Sequence, residues 1–324
     1  MVTPTTGSPA SSVDSTGDYR IDALLKGTKW GGPAGTGFDV TYSFPQIGSS
    51  VFSTSAWGGY GPTSGLGEPW DSDVRSLKAL QQQYFSDAMD AWAEVANIAA
   101  NQVADNADLV GDIRAAFSGR VDDEGAAAWA YYPNSSAVAG DVWLNSFYSI
   151  FDDPAPGSSG FHIFLHEIGH ALGLSHPFGG GKGILGGSED THKYTVMSYR
   201  NHGGVGGDAH TPMLYDILAI QHLYGANHST RDGDTTYAFG AGERFMTIWD
   251  GGGVDTIDAS ATSLPAEISL APGTFSSIGP RINGGAAFEN VAIAFNVTIE
   301  NATGGGGSDS ERRKLRELNH ERAR

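Results

Sequence analysis

The sequence contains no cysteine among its 324 residues. This absence excludes disulfide bonds, thiolate catalysis and any cysteine-ligated zinc site. Stability therefore depends on the hydrophobic core, on hydrogen bonds or on bound ions. The chain also lacks an apolar run of membrane-spanning length, so a membrane is not an expected partner.

Positively charged residues are scarce. The chain has 19 Lys and Arg residues and 37 Asp and Glu residues, which gives a formal net charge of −18. Such a surface repels nucleic acid and anionic lipid, so neither is an expected partner. The acidic excess fits either simple solubility or carboxylates that hold hard cations. Glycine is abundant at 46 residues, which indicates many turns and close backbone approaches.

Composition and periodicity divide the chain into four segments. Residues 1–18 are polar, lack the basic-then-apolar pattern of a secretory signal peptide, and are expected to form a flexible leader. Residues 19–225 mix helical and strand patterns and are expected to form the first domain. Residues 226–303 carry short β-like runs, which predicts a smaller all-β domain. Residues 304–324 are expected to form a Gly-rich linker and a basic, solvated tail with some potential to be helical.

The first domain is predicted to contain both helices and strands, which indicates an α+β fold. FDVTYSF alternates apolar and polar residues, as a half-buried strand does, and VGDIRAAF, AAAWAYY and DVWLN predict three more strands. FHIFLHEIGHALGL and TPMLYDILAIQHLYG predict helices. A longer helix is predicted to begin after Asp71–Asp73. Its apolar residues at helical spacing are Val74, Leu77, Phe85, Ala88, Trp92 and Val95.

The stretch HEIGHALGLSH, from His166 to His176, has the spacing of a metal site. His166 and His170 lie four residues apart on one helix face and can bind one ion from the same side. Gly173 permits a backbone conformation that ends the helix, so that His176 can return as a third ligand. Three neutral imidazoles leave a zinc ion with an open position for water.

Glu167 follows the first of these histidines and supplies a candidate base. Zinc lowers the pKa of a bound water to about 7, and a carboxylate on the far side of that water can accept its proton. The alternative is a set of ordinary core or surface histidines. That would require five fixed positions to coincide by chance, at odds of roughly one in ten thousand for uniform composition.

HEIGHALGLSH resembles the HExxHxxGxxH signature of the metzincin metallopeptidases, and VMSYR at 196–200 resembles the Met-turn of the serralysin family. WAYYP, DILAIQHLYGAN and STRDGDTTYAF extend the likeness over about residues 30–302. The resemblance implies a metzincin catalytic domain, with a twisted mixed sheet and long helices, followed by a small calcium-binding β domain. It also implies that Met197 forms a hydrophobic floor under the zinc. Tyr199 would be a further zinc ligand at rest that hydrogen-bonds the oxyanion during turnover.

WDGGGVDTID sets Asp250 and Asp255 around glycines that let backbone carbonyls approach a cation. From the residues alone, a calcium site and a tight turn are equally plausible. The resemblance favours structural calcium. It implies these ligand positions: Arg231, Gly233, Thr235, Asp250, Gly252, Gly253, Asp255, Thr298 and Glu300.

The end of the chain departs from the resemblance. Serralysins normally continue with glycine-rich nonapeptide repeats that wind into a calcium-filled β-roll. Here GGGGSD, at 304–309, resembles the start of one repeat and equally resembles a flexible linker. An extended β-roll and the export route that goes with it are therefore in question.

The resemblance implies a secreted, extracellular zinc endopeptidase, expected to be a monomer, that hydrolyses peptide bonds in proteins or peptides with Glu167 as general base. A small proteinaceous protease inhibitor is a further potential partner. The edge strand near Ala128–Tyr131 could align a substrate peptide by β-augmentation, or could serve packing alone. Two alternatives stay open: a metal-stabilised non-catalytic binding module, and a metal hydrolase of narrow specificity on the same scaffold.

Overall fold

A five-stranded mixed sheet and two long helices form the first region of the molecule. The computed structural model describes residues 2–312. The strands of this region are β1 Ala10–Ser12, β2 Thr28–Trp30, β3 Phe38–Ser43, β4 Ile98–Gln102, β5 Ile113–Ser118, β6 Ala128–Ala130 and β7 Val142–Asn145. The helices are α1 Tyr19–Asp22, α2 Ala79–Val95, α3 Arg120–Asp123, α4 Ser159–Leu172 and α5 Leu214–Tyr224, with short 3₁₀ turns at Glu68–Trp70 and Ser149–Phe151. The predicted α+β class is confirmed.

The main sheet has the order β4-β3-β5-β7-β6. Its first four strands are parallel, and β6 runs antiparallel to β7 at the edge. Helices α2 and α4 pack together through aromatic side chains, with the Phe85 and Phe164 rings 5.3 Å apart. The Trp92 indole Nε1–H donates to the Leu165 carbonyl at 3.2 Å. A buried aromatic layer thus fixes α4, the helix that carries the histidine motif, on the rest of the region.

Short strands arranged in three small sheets form the second region. They are β8 Thr236–Ala238, β9 Met246–Ile248, β10 Thr256–Asp258, β11 Glu267–Ser269, β12 Phe275–Ser276, β13 Val291–Ile293, β14 Asn301–Thr303 and β15 Ser310–Arg312. The sheet orders are β14-β10-β8, β12-β13-β9 and β11-β15, and β12–β13 is the antiparallel pair among them. Buried residues of both regions belong to one hydrophobic cluster, so the second region shares the core of the first.

The long helix α2 begins later than the sequence predicts. It begins at Ala79 with Lys78 as the preceding cap residue, not after Asp71–Asp73. Arg75 instead exchanges two backbone hydrogen bonds with Phe117 of β5. Val74 fits the helical spacing of apolar residues, yet it lies beside a strand and is not helical. The pairing of this segment with β5 outweighs the local sequence preference for helix.

The expectation of a flexible leader over residues 1–18 is wrong for its central part. Strand β1 pairs antiparallel with β2, placing Ala10 opposite Trp30. Val13 is buried, and its N–H donates to the Gly27 carbonyl at 2.9 Å. The polar composition gave no sign of this strand in the sequence. An edge strand is held by backbone hydrogen bonds and needs few apolar side chains.

The expected linker and tail begin with ordered structure. Strand β15 pairs parallel with β11, and Asp309 Oδ1 accepts the Ala266 N–H at 2.8 Å. The predicted helical tendency of the tail concerns residues 313–324, which lie outside the described residues. Strand β14 begins at Asn301, so the predicted calcium ligands Thr298 and Glu300 precede it. Within residues 2–312, no helix has both the length and the apolar character needed to cross a membrane.

Candidate functional site

Helix α4 presents His166 and His170 on one face and ends where the motif predicts. Its C-cap is Gly173, which adopts a left-handed conformation with φ 109°. A Cβ at this position would lie 2.3 Å from the Thr28 carbonyl oxygen, so both the backbone angle and the space require glycine. The turn brings His176 back towards the helix.

The three motif histidines meet at one point. His176 Nε2 lies 3.2 Å from His166 Nε2 and 3.0 Å from His170 Nε2. Lone pairs of neutral imidazoles repel at this distance unless a proton or a cation lies between them. Tetrahedral zinc, with Zn–N bonds of about 2.0–2.1 Å, places its nitrogen ligands about 3.3 Å apart. The donor set and its spacing therefore fit zinc.

Backbone carbonyls orient the two helical ligands. His166 Nδ1 lies 2.8 Å from the Val196 carbonyl oxygen, and His170 Nδ1 lies 2.8 Å from the Leu174 carbonyl oxygen. A carbonyl only accepts, so each Nδ1 carries the proton and each Nε2 is left free to bind a metal. Burial lowers the pKa of His166 to about 3 and also lowers the pKa of His170. Both rings are thus neutral, as a metal requires.

Glu167 is buried beside this point with unsatisfied hydrogen-bonding capacity. Its side chain is 5% exposed, and its Oε2 has no hydrogen-bond partner among the described residues. Burial raises the pKa of Glu167 to about 8. A nearby cation would favour the ionised carboxylate and so oppose this effect of burial.

Tyr199 and Met197, which follow the histidine motif in the sequence, also lie next to it in the structure. The Tyr199 hydroxyl lies 3.0 Å from His176 Nε2, while 67% of the residue is exposed, which leaves the ring room to move. Met197 is fully buried, and a Cβ on Gly169 would lie 2.7 Å from its sulfur. The chain around Met197 therefore packs directly against α4 below the three histidines.

Sequence reasoning missed Asp216, which fixes that packing. Its buried carboxylate accepts hydrogen bonds from Thr195 Oγ1 at 2.5 Å, from Val196 N at 2.8 Å and from Met213 N at 2.8 Å. Asp216 thereby joins the start of α5 to the segment whose carbonyl orients His166. The available signal was an acidic residue in the first turn of a predicted helix, where it can cap backbone N–H groups.

Two aromatic residues at the site were also missed. The Phe178 ring stacks on His176 at 4.9 Å, and the Tyr132 ring meets His170 edge-on at 5.3 Å. Phe178 is 44% exposed, so it forms part of the outer wall of the site. Phe178 lies outside the stretches singled out in the sequence, and Tyr132 lies in WAYYP, whose likeness assigned it no role. Aromatic residues read from sequence alone usually indicate core packing.

A cavity of about 450 Å³ opens beside the histidines. Its lining comprises Gly125, Ala126, Ala127, Ala128, His162, Ile163, His166, Glu167, His192, Ser198 and Tyr199. Strand β6 runs along it. The Ala127 carbonyl accepts the Asn145 N–H at 2.9 Å, and the Tyr131 N–H donates to the Asp141 carbonyl at 3.0 Å. The backbone N–H and C=O groups of Ala128 and Ala130, which alternate with these, therefore point away from β7.

The predicted calcium residues form a connected group in the second region. Asp255 Oδ1 accepts the Thr235 N–H at 2.8 Å, and Glu300 Oε2 accepts the Asp255 N–H at 2.9 Å. Asp250 accepts the Tyr237 hydroxyl at 2.6 Å and the Gly252 N–H at 2.8 Å. We call Asp250, Asp255 and Glu300 the carboxylate cluster.

The carboxylate cluster has a feature that suits a cation. Asp255 Oδ2 is buried and has no hydrogen-bond partner among the described residues. Burial raises the pKa of Asp255, as do the nearby charges of Asp250 and Glu300, while the Thr235 N–H lowers it. A bound cation would relieve both the burial and the repulsion.

The other predicted ligand positions flank this cluster. A Cβ on Gly253 would lie 2.6 Å from the Gly233 carbonyl carbon, so these two backbones touch. Arg231 has φ 50° and directs its guanidinium to Glu94 at 3.0 Å. Thr298 lies on exposed chain two residues before Glu300.

These features together define the metzincin class of metallopeptidase-type domains: a mixed sheet, a helix with the HExxH motif, a glycine break, a third histidine and an underlying methionine turn. Residues 71–181 match the family model described as Matrixin, and residues 221–311 match the one described as Peptidase M10 serralysin C terminal. The chain belongs to the serralysin-type metzincins.

Individual relatives are similar in sequence to this protein over most of its length. Serralysin B of Dickeya chrysanthemi is 34% identical over 87% of this chain and 60% of its own length. Metalloprotease AprA of Pseudomonas entomophila (strain L48) is 33% identical over 94% of this chain and 64% of its own. A Serralysin C of Dickeya chrysanthemi is 37% identical over 92% of this chain and 65% of its own. The chain thus spans less than two thirds of the length of these curated relatives.

Proposed function

We propose that the chain is a zinc-dependent endopeptidase that hydrolyses peptide bonds in proteins. One observation carries the proposal. Three imidazole Nε2 atoms, separated by 3.0 and 3.2 Å at His176, converge beside the buried and partly unpartnered carboxylate of Glu167. Membership of the serralysin family supports it.

The residues divide the chemistry as follows. His166, His170 and His176 would hold zinc, which supplies a Lewis acid that lowers the pKa of water towards ~7 and polarises a carbonyl. Glu167 accepts a proton from the attacking water and passes it to the leaving amine. The Tyr199 hydroxyl donates a hydrogen bond to the oxyanion that forms on the substrate carbonyl.

The edge of β6 is the proposed binding surface for the substrate backbone. The outward N–H and C=O groups of Ala128 and Ala130 can pair with an extended peptide, and the cavity can take one of its side chains. Protein or peptide substrates follow from this arrangement. An extracellular location, a monomeric state and a small protein inhibitor as partner are inferred from the family resemblance.

The carboxylate cluster is the proposed calcium site. Its unpartnered Asp255 oxygen, its clustered negative charge and the close backbone contact of Gly233 with Gly253 support an oxygen-lined cation site. Its role would be structural, since calcium would connect β8, β10 and the segment before β14 in a chain without disulfides.

A digestion assay on casein tests the peptidase. We expect cleavage that a zinc-selective chelator abolishes and added zinc restores. Stoichiometric zinc without any hydrolysis would indicate a binding module. Hydrolysis restricted to a few small peptides would indicate a metal hydrolase of narrow specificity.

A further inference from the structure

A second group of metal-type side chains lies beside the cavity, outside the HExxH motif. His162, His192 and Asp208 each offer one ligand atom within 4.8 Å of the others. We call these residues the His–His–Asp cluster. The first lies in α4 one turn before His166, and the other two come from loops on either side of the Met197 segment.

His192 has its tautomer fixed by a backbone carbonyl. Its Nε2 lies 2.9 Å from the Ser198 carbonyl oxygen, so Nε2 carries the proton and Nδ1 of the neutral ring offers a lone pair. That Nδ1 lies 3.7 Å from Asp208 Oδ1. This separation is too long for a hydrogen bond and close to the ligand–ligand spacing of about 3.3 Å around tetrahedral zinc.

Asp208 is positioned by a partner on its other oxygen. The Ser159 hydroxyl donates to Asp208 Oδ2 at 2.6 Å, which leaves Oδ1 facing His192. Metal ligands are typically oriented in this way, by hydrogen bonds from their non-ligating atoms. The same pattern holds for His166 and His170 at the first centre, where carbonyls accept from Nδ1.

His162 supplies the unmet bonding capacity. It is 7% exposed, and its Nδ1 has no hydrogen-bond partner among the described residues. Its ring lies against His192, with centroids 4.1 Å apart. The cluster thus combines two packed, buried imidazoles, one with an unpartnered nitrogen, and the partly buried Asp208 carboxylate. Native structures usually satisfy such a buried polar atom with water or an ion.

We propose that the His–His–Asp cluster is a second binding site for a divalent transition-metal cation of the zinc type. Two imidazoles and one carboxylate suit such an ion, whereas calcium takes six to eight oxygen ligands. Because His162 and His192 line the same cavity as His166 and Glu167, an ion bound there sits at the wall of the proposed substrate cavity. The proposal stands apart from the peptidase activity, because it concerns binding alone.

Equilibrium dialysis of the full chain against buffered free zinc, with calcium in excess to fill the carboxylate cluster, tests the site. Zinc per chain is measured by elemental analysis. We expect the parent to take up a second zinc ion after the first. Asp208→Asn and His162→Gln should weaken that second step at least about 100-fold, since loss of outer-shell partners alone costs about 10–100-fold.

Two further variants make the result specific. Ser159→Ala removes the hydrogen bond to Asp208 at an exposed position that is safe for folding, so it should weaken the second ion by about 10–100-fold. His228→Gln replaces an exposed histidine outside the cluster and should leave both steps unchanged. A parent that saturates with a single zinc ion would overturn the proposal. So would a second ion that binds Asp208→Asn and His162→Gln as tightly as the parent.

Discussion

The histidines of the proposed zinc centre lie within one short stretch of chain, whereas the carboxylate cluster joins Asp250 and Asp255 of one segment to Glu300, which follows Asp255 by 45 residues. A helix and one glycine turn are enough to bring His166, His170 and His176 together. The cluster forms only when β8, β10 and the residues before β14 are already adjacent. Local geometry thus builds the first site, and folding builds the second. We therefore expect damage at the first to affect chemistry and damage at the second to affect stability.

Glu167→Ala is the largest expected test of this contrast. Hydrolysis should fall by about 10⁴-fold, because a general base and the positioning of water are lost together. Zinc content and melting temperature should stay close to those of the parent. Steady-state kinetics on a peptide, elemental analysis and thermal unfolding measure the three quantities.

The matched control is Glu124→Ala, which removes an exposed carboxylate far along the chain from the motif. It should leave hydrolysis unchanged. If Glu167→Ala kept parental activity, Glu167 would not be the general base. If the variant stayed folded but lost zinc, Glu167 would be a metal ligand.

Tyr199→Phe sharpens the comparison within the first site. Loss of a single oxyanion donor costs roughly 10²–10³ in rate, and phenylalanine keeps the ring contacts with His176 and Phe178. The turnover number should therefore fall while zinc affinity changes little. His176→Ala, in contrast, should weaken zinc binding itself. Titration with a competing chelator separates the two, and equal zinc loss in both variants would make Tyr199 a structural ligand.

Removal of calcium tests the second site. A ligand at a hundred times its dissociation constant stabilises the native state by about 2.7 kcal/mol, so a calcium-selective chelator should lower the melting temperature of the parent by several degrees. Asp255→Ala should melt lower from the start and respond little to the chelator, because the ion is already lost. Differential scanning calorimetry with zinc held constant makes the measurement. If the melting temperature of the parent did not depend on calcium, the glycines around Asp250 would serve only to form a turn.

Gly169→Ala is the smallest of these tests and asks how far the first site depends on tertiary packing. The new Cβ would lie 2.7 Å from the Met197 sulfur, and overpacking of this kind costs about 1–3 kcal/mol. Urea unfolding should show the loss, with weaker zinc binding beside it. Gly186→Ala, where a Cβ meets nothing within 4 Å, is the control and should change stability by less than about 0.5 kcal/mol. Equal stability of the two variants would show that the methionine side chain yields freely.

The sequence by itself determined the α+β class, the helix that carries HEIGH, the break at Gly173 and the family. Each of these depends on residues close in the chain, whose spacing and backbone preferences act over one or two helical turns. Tertiary structure alone decided the late start of α2, the pairing of β1 with β2 and the link from Asp216 to the Met197 segment. It also decided the meeting of His162 with His192 and Asp208. These contacts join residues distant in sequence, and only packing of the whole chain offsets the entropy of bringing them together.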